Sequence, residues 1–298
     1  MFRPVKTALV CLLLLCGFVS APLSARTLPF STVFKGVDRF DALVSKAEAG
    51  DWKALPIGAR TAAVGRVLVG TPYKSFTLEI DDRIEAASVN LYGLDCWTFF
   101  EVALAFARML DEPRAGWTPQ TMLRYIELDR YRGGKCTGSY LSRLHYLEEW
   151  SLDNAQRGLI ADLTPRLGGV RVAHRAREMT AGWRSYRYMR MNPDLRVGIA
   201  RMEERVSDIG LRMVPKGRVA SIEPKLQSGD IISIVSRDGN YNATSHVGLA
   251  VRDGNGTLRF MHASSPRNFG RVLIDQRLSG YLAKYSSHTG IMVARPLR

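Results

Sequence analysis

Tyr92-Gly93-Leu94-Asp95-Cys96-Trp97-Thr98-Phe99-Phe100 reads as a turn feeding directly into a helix. Gly93 and Asp95 supply turn and N-cap chemistry. Phe99, Phe100, Ala103, Ala107 and Leu110 fall near one face of a helical run from Trp97 to about Leu110. Cys96 therefore belongs in the first turn of a largely buried helix. Free backbone N–H groups and the positive end of the helix dipole favour a thiolate there, so a depressed pKa is expected. The alternative is a small buried hydrophobe, the commoner fate of a free cysteine.

Outward from this point, the first half of the chain is mostly helical in pattern. Helices are predicted at about Phe40–Ala49, Ile57–Leu68, Thr118–Leu128 and Ser139–Trp150, and Gly70-Thr71-Pro72-Tyr73 breaks the chain after the second of them. From Leu159 to Ile209 short strands alternate with helices, and arginines from Arg171 to Arg196 lie among Trp183, Tyr186 and Tyr188. That interleaving fits phosphate or sugar binding, or a charged face with aromatic anchors. The last quarter is rich in short strands: Asp230–Val235, Ser245–Val251, Thr257–Ala263, Gly270–Ile274 and Gly290–Arg295. Helices followed by consecutive antiparallel strands define an α+β layout.

Residues 1–25 read as a secretory signal peptide, with Arg3 and Lys6 before a leucine-rich run too short to span a membrane. The expectation is an exported chain, periplasmic or secreted, with no stable membrane anchor after cleavage, whose single domain runs over 26–298. Cys11 and Cys16 leave with the signal, and Cys96 and Cys136 remain, too few for a disulfide scaffold. They could still pair with each other. Losing Arg3 and Lys6 lowers the net charge from +14 to +12, which suits an anionic envelope or cell wall and leaves nucleic acid the least fitting partner of an exported chain. A solvated basic surface with no specific partner is the alternative.

The five histidines are His145, His174, His246, His262 and His288. A thiol nucleophile needs a base within hydrogen-bond reach and a third group fixing the base's tautomer. His246 and His262 lie in adjoining predicted strands around Arg252-Asp253-Gly254-Asn255-Gly256, a hairpin signal. A three-residue turn of Asp253, Gly254 and Asn255 would put His246 directly opposite His262, with Gly248 and Phe260 on the same face leaving room for the Cys96 helix. A two-residue turn at Gly254-Asn255 would put the two rings on opposite faces. A zinc site on Cys96, His246 and His262 competes with this reading, although no short-spaced ligand pair is present.

The Leu-Asp-Cys-Trp-Thr-Phe start at Leu94, Gly-Thr-Pro-Tyr at Gly70, Ser228-Gly229-Asp230 and Ser245-His246-Val247-Gly248 resemble NlpC/P60 cysteine peptidases. Ser142-Arg143-Leu144-His145-Tyr146, Val214-Pro215-Lys216, His262-Ala263-Ser264-Ser265 and Thr289-Gly290-Ile291 extend the resemblance to the DUF1460, N-acetylmuramoyl-L-alanine amidase-like branch, from about Val64 to Arg298. The resemblance implies a papain-like α+β core, N-terminal helices on a C-terminal antiparallel sheet, with a mainly helical insertion over about 139–207. It implies hydrolysis of the amide between N-acetylmuramic acid and L-alanine in peptidoglycan or its fragments, without metal or organic cofactor. Cys96 would be the nucleophile, His246 the base and His262 the third polar residue. Tyr73 would help the Cys96 N–H hold the oxyanion, and Arg143 and His145 are candidates for substrate specificity, or else a structural ion pair and a buried histidine. Basic residues around the cleft would suit the carboxylates of stem peptides. The same residues would equally serve a γ-D-glutamyl-diamino acid endopeptidase. Readings from other classes are a non-catalytic wall-binding module and a structural protein with a Cys96–Cys136 disulfide.

Overall fold

Alternating apolar residues in the last quarter build one antiparallel sheet. The computed structural model describes residues 28–297, so the signal segment lies outside the described residues. The strands of this sheet are β1 (Ile160–Asp162), β2 (Val170–Val172), β3 (Leu211–Pro215), β4 (Ile231–Asp238), β5 (Tyr241–Arg252), β6 (Leu258–Ala263), β7 (Val272–Arg277) and β8 (His288–Pro296). Their order is β2-β3-β8-β4-β5-β6-β7, with β1 also paired to β8, and all these pairs are antiparallel.

The longer helices are α1 (Val37–Ala49), α2 (Ile57–Val67), α3 (Cys96–Met109), α4 (Pro119–Arg130), α5 (Leu147–Gln156), α6 (Leu195–Ile209) and α7 (Leu278–Lys284). Helix α3 is apolar nearly all round and buried from Thr98 to Met109. With α2 it covers the sheet face carrying Val247, Leu249, Val251, Met261 and Ala263. The other face carries Ile232, Ile234, Ala250, Leu258 and Phe260, and packs against Leu278, Tyr281 and Leu282 of α7. The Cys96 helix thus lies on the opposite face from Phe260, contrary to the sequence expectation, because period-2 alternation sends the odd-numbered apolar residues of β5 and β6 toward it.

The predicted helix over Ser139–Trp150 is replaced by a single turn at Tyr140–Ser142 and by α5. Arg143 between them is extended, bridged to Tyr131, and Leu144 N–H donates to the Arg130 carbonyl at 2.9 Å. Within 139–207, β1 and β2 join the main sheet alongside the helices.

The Ser228-Gly229-Asp230 motif is structural. Gly229 has φ +91, and a Cβ there would lie 2.0 Å from the Gly58 carbonyl oxygen at the start of α2. Buried Asp230 takes Arg295 Nε at 2.7 Å and Nη2 at 2.8 Å, tying the turn to β8.

The β5–β6 hairpin has the predicted loop length one position later. The chain reverses through Gly254-Asn255-Gly256, closed by Asp253 N–H donating to the Thr257 carbonyl at 3.0 Å, and Gly256 takes the left-handed conformation with φ +78. The Asp253 carboxylate accepts the Asn255 and Thr257 N–H groups, both at 3.0 Å, which fixes this placement. Leu249 therefore faces Met261 and Arg252 faces Leu258. Continued, this register sets Gly248 beside His262 and carries His246 two residues further along. The histidines share a face but are diagonal, not opposite.

Candidate active site

Cys96 is the first residue of α3 because Asp95 caps the helix. The Asp95 carboxylate accepts Thr98 N–H at 2.8 Å, and Thr98 Oγ1 accepts Asp95 N–H at 2.9 Å, a closed capping box. Upstream, Tyr73 is bridged to Leu94, with Lys74 N–H on the Leu94 carbonyl and Leu94 N–H on the Pro72 carbonyl, both at 3.1 Å. This pairing brings the Tyr73 ring beside the cysteine. A cavity of about 320 Å³ is lined by Tyr73, Phe76, Cys96, Trp97, Arg143 and His145, among others. A second, of about 160 Å³, is lined by Cys96, Trp97, His145, Ser245, His246 and Val247, among others. The sequence candidates Cys96, His246, Tyr73, Arg143 and His145 thus border two cavities that share Cys96, Trp97, His145, Met179 and Tyr186.

The paired part of β5 and β6 ends at Leu249 and Met261. Beyond it, Val247 lines the smaller cavity together with Cys96, close enough for its backbone N–H to favour the thiolate. On its other side β5 bulges: Ile234 pairs with His246 and Val235 with Thr244, leaving Ser245 extra. Bulges recur next to active sites because they re-aim a side chain. The His246 ring reaches diagonally across Gly248, and its Nε2 lies 2.7 Å from His262 Nδ1. His262 Nε2 lies 3.4 Å from Asp275 Oδ2 on β7. The ring of Tyr281 from α7 covers this row, with its centroid 5.1 Å from that of His262.

Electrostatics runs against the expected thiolate. Burial first, and then the Asp95 carboxylate, push the Cys96 thiol up to about 12, outweighing the N–H groups of Val247, Trp97 and Cys96 itself. Burial, followed by the neighbouring His262 and His288, holds His246 well below the ordinary histidine value. Burial and then Cys96 raise Tyr73 above the ordinary phenol value. The resting pair is therefore a neutral thiol and a neutral imidazole. The N-terminal field of a helix is present, but desolvation is the larger effect.

Arg143 is buried between two glutamates, with Nη2 3.0 Å from Glu79 Oε1 and Nη1 3.6 Å from Glu85 Oε1, and stacks over Tyr140. His145 Nε2 is bonded to the Tyr140 carbonyl at 2.9 Å, and burial followed by Arg143 keeps its pKa well below the ordinary value. Both line the cavity, but the Arg143 charge is paired and His145 Nε2 is already bonded. The charged residues around the two cavities are Glu79, Asp95, Arg143 and Glu178, so the expected basic cleft is not found. Phe76 instead stands half-exposed at the larger cavity with φ +57, edge-on to Tyr186 at 5.9 Å. In the arginine-rich segment, Trp183 is flanked by Arg184 and Arg196 at 4.6 and 4.4 Å, a contact internal to the chain.

Cys96 and Cys136 are both free thiols, and the Cys136 thiol donates to the Glu85 carbonyl at 3.4 Å. No cluster of three His, Cys, Asp or Glu side chains among the described residues is arranged to hold a metal. The facing nitrogens of His246 and His262 engage each other rather than a shared ion. No helix among the described residues is long and apolar enough to cross a membrane. Sequence reading missed Asp275. The signal for it was a lone acid in Val272-Leu273-Ile274-Asp275-Gln276, two residues diagonal to His262 once the register of β6 and β7 is known.

A thiol and a neutral imidazole bordering one cavity, with a second imidazole and a carboxylate bonded in a row behind the first, have the groups needed to abstract a proton, attack a carbonyl and return the proton to a leaving amine. The family model described as AmiA-like, N-acetylmuramoyl-L-alanine amidase-like, matches residues 63–291. The fold is similar to the crystal structure of an N-acetylmuramoyl-L-alanine amidase from Bacteroides uniformis, with 27% identity, TM-score 0.71, and 81% of this chain and 99% of that chain covered. A Bacteroides fragilis protein provisionally described as a xylanase is 31% identical, with TM-score 0.68 over 78% of this chain and 99% of its own. A DUF1460 protein from Legionella pneumophila shares the fold at 17% identity, with TM-score 0.63 over 88% of this chain and 95% of its own. No curated protein sequence matches the chain significantly.

Proposed function

Because the chain belongs to the AmiA-like, N-acetylmuramoyl-L-alanine amidase-like family, we propose that it hydrolyses the amide between N-acetylmuramic acid and L-alanine in peptidoglycan or its fragments, through a thioester on Cys96. The observation that carries this reading is Cys96 at the first position of α3, sharing a cavity with a His246 that is itself hydrogen-bonded to His262. We read the core as papain-like, of the NlpC/P60 type, and the chain as exported to the periplasm or beyond, where its substrate would be found.

In the proposed cycle the substrate's lactyl carbonyl enters between Cys96 and Tyr73. His246 takes the thiol proton as sulfur attacks, since neither group is ionised at rest. The oxyanion is received by the Cys96 N–H at the helix start, with Tyr73 as the second donor. His246 then protonates the departing L-alanine amine, and water, activated by the same ring, hydrolyses the thioester. Phe76 and Tyr186 offer apolar faces on which the sugar ring can lie. The acidic and aromatic lining favours recognition of the sugar side over stem-peptide carboxylates.

The test is mass spectrometry of digested muropeptides. Release of a peptide beginning with L-alanine supports the amidase. Sugar products that keep L-alanyl-glutamate would replace it with an endopeptidase, and no release from wall or fragments would favour a binding module.

A further inference from the structure

His246, His262 and Asp275 form a row across three adjacent strands on one face of the sheet. Gly248 lies beside His262, so nothing stands between the His246 and His262 rings. A Cβ at Gly248 would lie 2.8 Å from His262 Cβ. On the far side, β6 pairs with β7 as His262 with Leu273 and Met261 with Ile274, and the register then shifts before Arg259 and Arg277. This bulge spans Asp275 and turns its carboxylate back along the sheet to His262 Nε2, at 3.4 Å. Asp275 Oδ1 is held by Gln276 N–H at 2.7 Å, leaving Oδ2 for the ring.

We propose that Asp275 is a positioning residue whose carboxylate sets the tautomers of both histidines and so leaves His246 Nδ1 as a bare lone pair for the Cys96 thiol. An ionised carboxylate only accepts hydrogen bonds, so His262 must present Nε2–H to it. A neutral His262 then has a lone pair on Nδ1. The 2.7 Å contact requires a proton, which His246 must supply from Nε2. With that proton on Nε2, neutral His246 has its lone pair on Nδ1, the nitrogen not engaged with His262. The reversed arrangement would set the His262 Nε2 lone pair against the carboxylate and turn an N–H of His246 toward the thiol, where it could not accept a proton. The His262 contact also holds Asp275 below the ordinary carboxylate value, which keeps it in the accepting form. This role for Asp275 rests on the reading of Cys96 and His246 as nucleophile and base.

The test is two-bond 15N–1H NMR of the protein labelled at histidine, together with steady-state kinetics. Wild type should show His246 and His262 both protonated on Nε2. Asp275→Ala should move both rings toward the Nδ1-protonated form and lower kcat on the order of 10²-fold with KM nearly unchanged, a smaller loss than direct triad carboxylates give. Asp275→Glu, which restores a carboxylate, should recover the wild-type tautomers and part of the rate. If Asp275→Ala does not fold, the near-isosteric Asp275→Asn should show mixed tautomers, because its amide presents either an acceptor or a donor. A wild-type His262 protonated on Nδ1, or an Asp275→Ala or Asp275→Asn protein that keeps both the tautomers and kcat, would overturn the proposal. Tautomers are read without turnover, so a Cys96→Ala protein that remained active would defeat the cysteine reading while leaving the carboxylate's role standing.

Discussion

The imidazoles of His246 and His262 are hydrogen-bonded at 2.7 Å from diagonal positions on neighbouring strands, with Gly248 occupying the place beside His262. Two bulges and one glycine achieve what a directly opposed pair would achieve by register alone. The distinction matters because it makes the site sensitive to backbone positions that carry no chemistry of their own.

Gly248 is the clearest of these. A Cβ there would lie 2.5 Å from the Met261 carbonyl oxygen and 2.8 Å from His262 Cβ. Gly248→Ala should cost about 1–3 kcal/mol in denaturant unfolding and remove most activity by displacing His262. Gly254→Ala in the exposed hairpin loop meets nothing within 4 Å and should change neither. Equal effects of the two substitutions would contradict the packing described.

The neutral Cys96 predicts its alkylation chemistry. With the thiol pushed up to about 12, the iodoacetamide rate should keep rising through pH 9 and above rather than levelling near the ordinary thiol value of about 8.5. Asp95→Ala removes a carboxylate that raises the thiol, so alkylation at pH 8 should quicken even as loss of the cap costs roughly 1 kcal/mol of stability. A rate already level at pH 7 would mean a preformed thiolate–imidazolium pair.

Activity should follow the same logic on the acid side. His246 must be neutral to accept the thiol proton, and its folded pKa is held well below 6.5. Lowering the pKa extends the neutral form to more acidic solution, so kcat/KM should hold as pH falls through 6.5 and decline only further down. A half-maximum at or above pH 6.5 would show that the ring is solvated as in an open peptide.

The two cysteines should separate cleanly. Cys96→Ala should abolish turnover with little loss of stability, whereas Cys136→Ala, which loses only the thiol bond to the Glu85 carbonyl, should keep most activity. Turnover surviving in Cys96→Ala is the outcome that refutes the nucleophile.

Much of this arrangement was legible in the sequence because local rules decide it. The Asp95 cap and apolar face of α3, the five late strands and the three-residue hairpin loop all arise from short-range pattern. Even the shared face of His246 and His262 survives a turn misplaced by one residue, since that error shifts partners by two and preserves the side. What was not legible depends on tertiary packing. Gly256 rather than Asn255 takes the left-handed position because the Asp253 carboxylate binds the N–H groups after it. Asp275 enters the row only through a bulge, and bulges leave little mark on a single sequence. The Cys96 thiol is raised rather than lowered because the closeness of its burial is set by elements far apart in the chain. For Arg143 the sequence left substrate binding and a structural ion pair open; the structure shows the ion pair, whose two glutamates, Glu79 and Glu85, come from a distant segment.

The central claim is a muramoyl thioester on Cys96, and trapping it is the most direct test. Excess protein would be mixed with a muropeptide, quenched in acid at early times and digested for peptide mass mapping. The expected result is a transient adduct on the Cys96 peptide whose mass equals the acylating sugar without any amino acid, rising and decaying as free L-alanyl peptide appears. An adduct that retains L-alanine and glutamate would place the cut at the γ-glutamyl bond instead. Full turnover with Cys96 unmodified at every time point would contradict covalent catalysis by this residue.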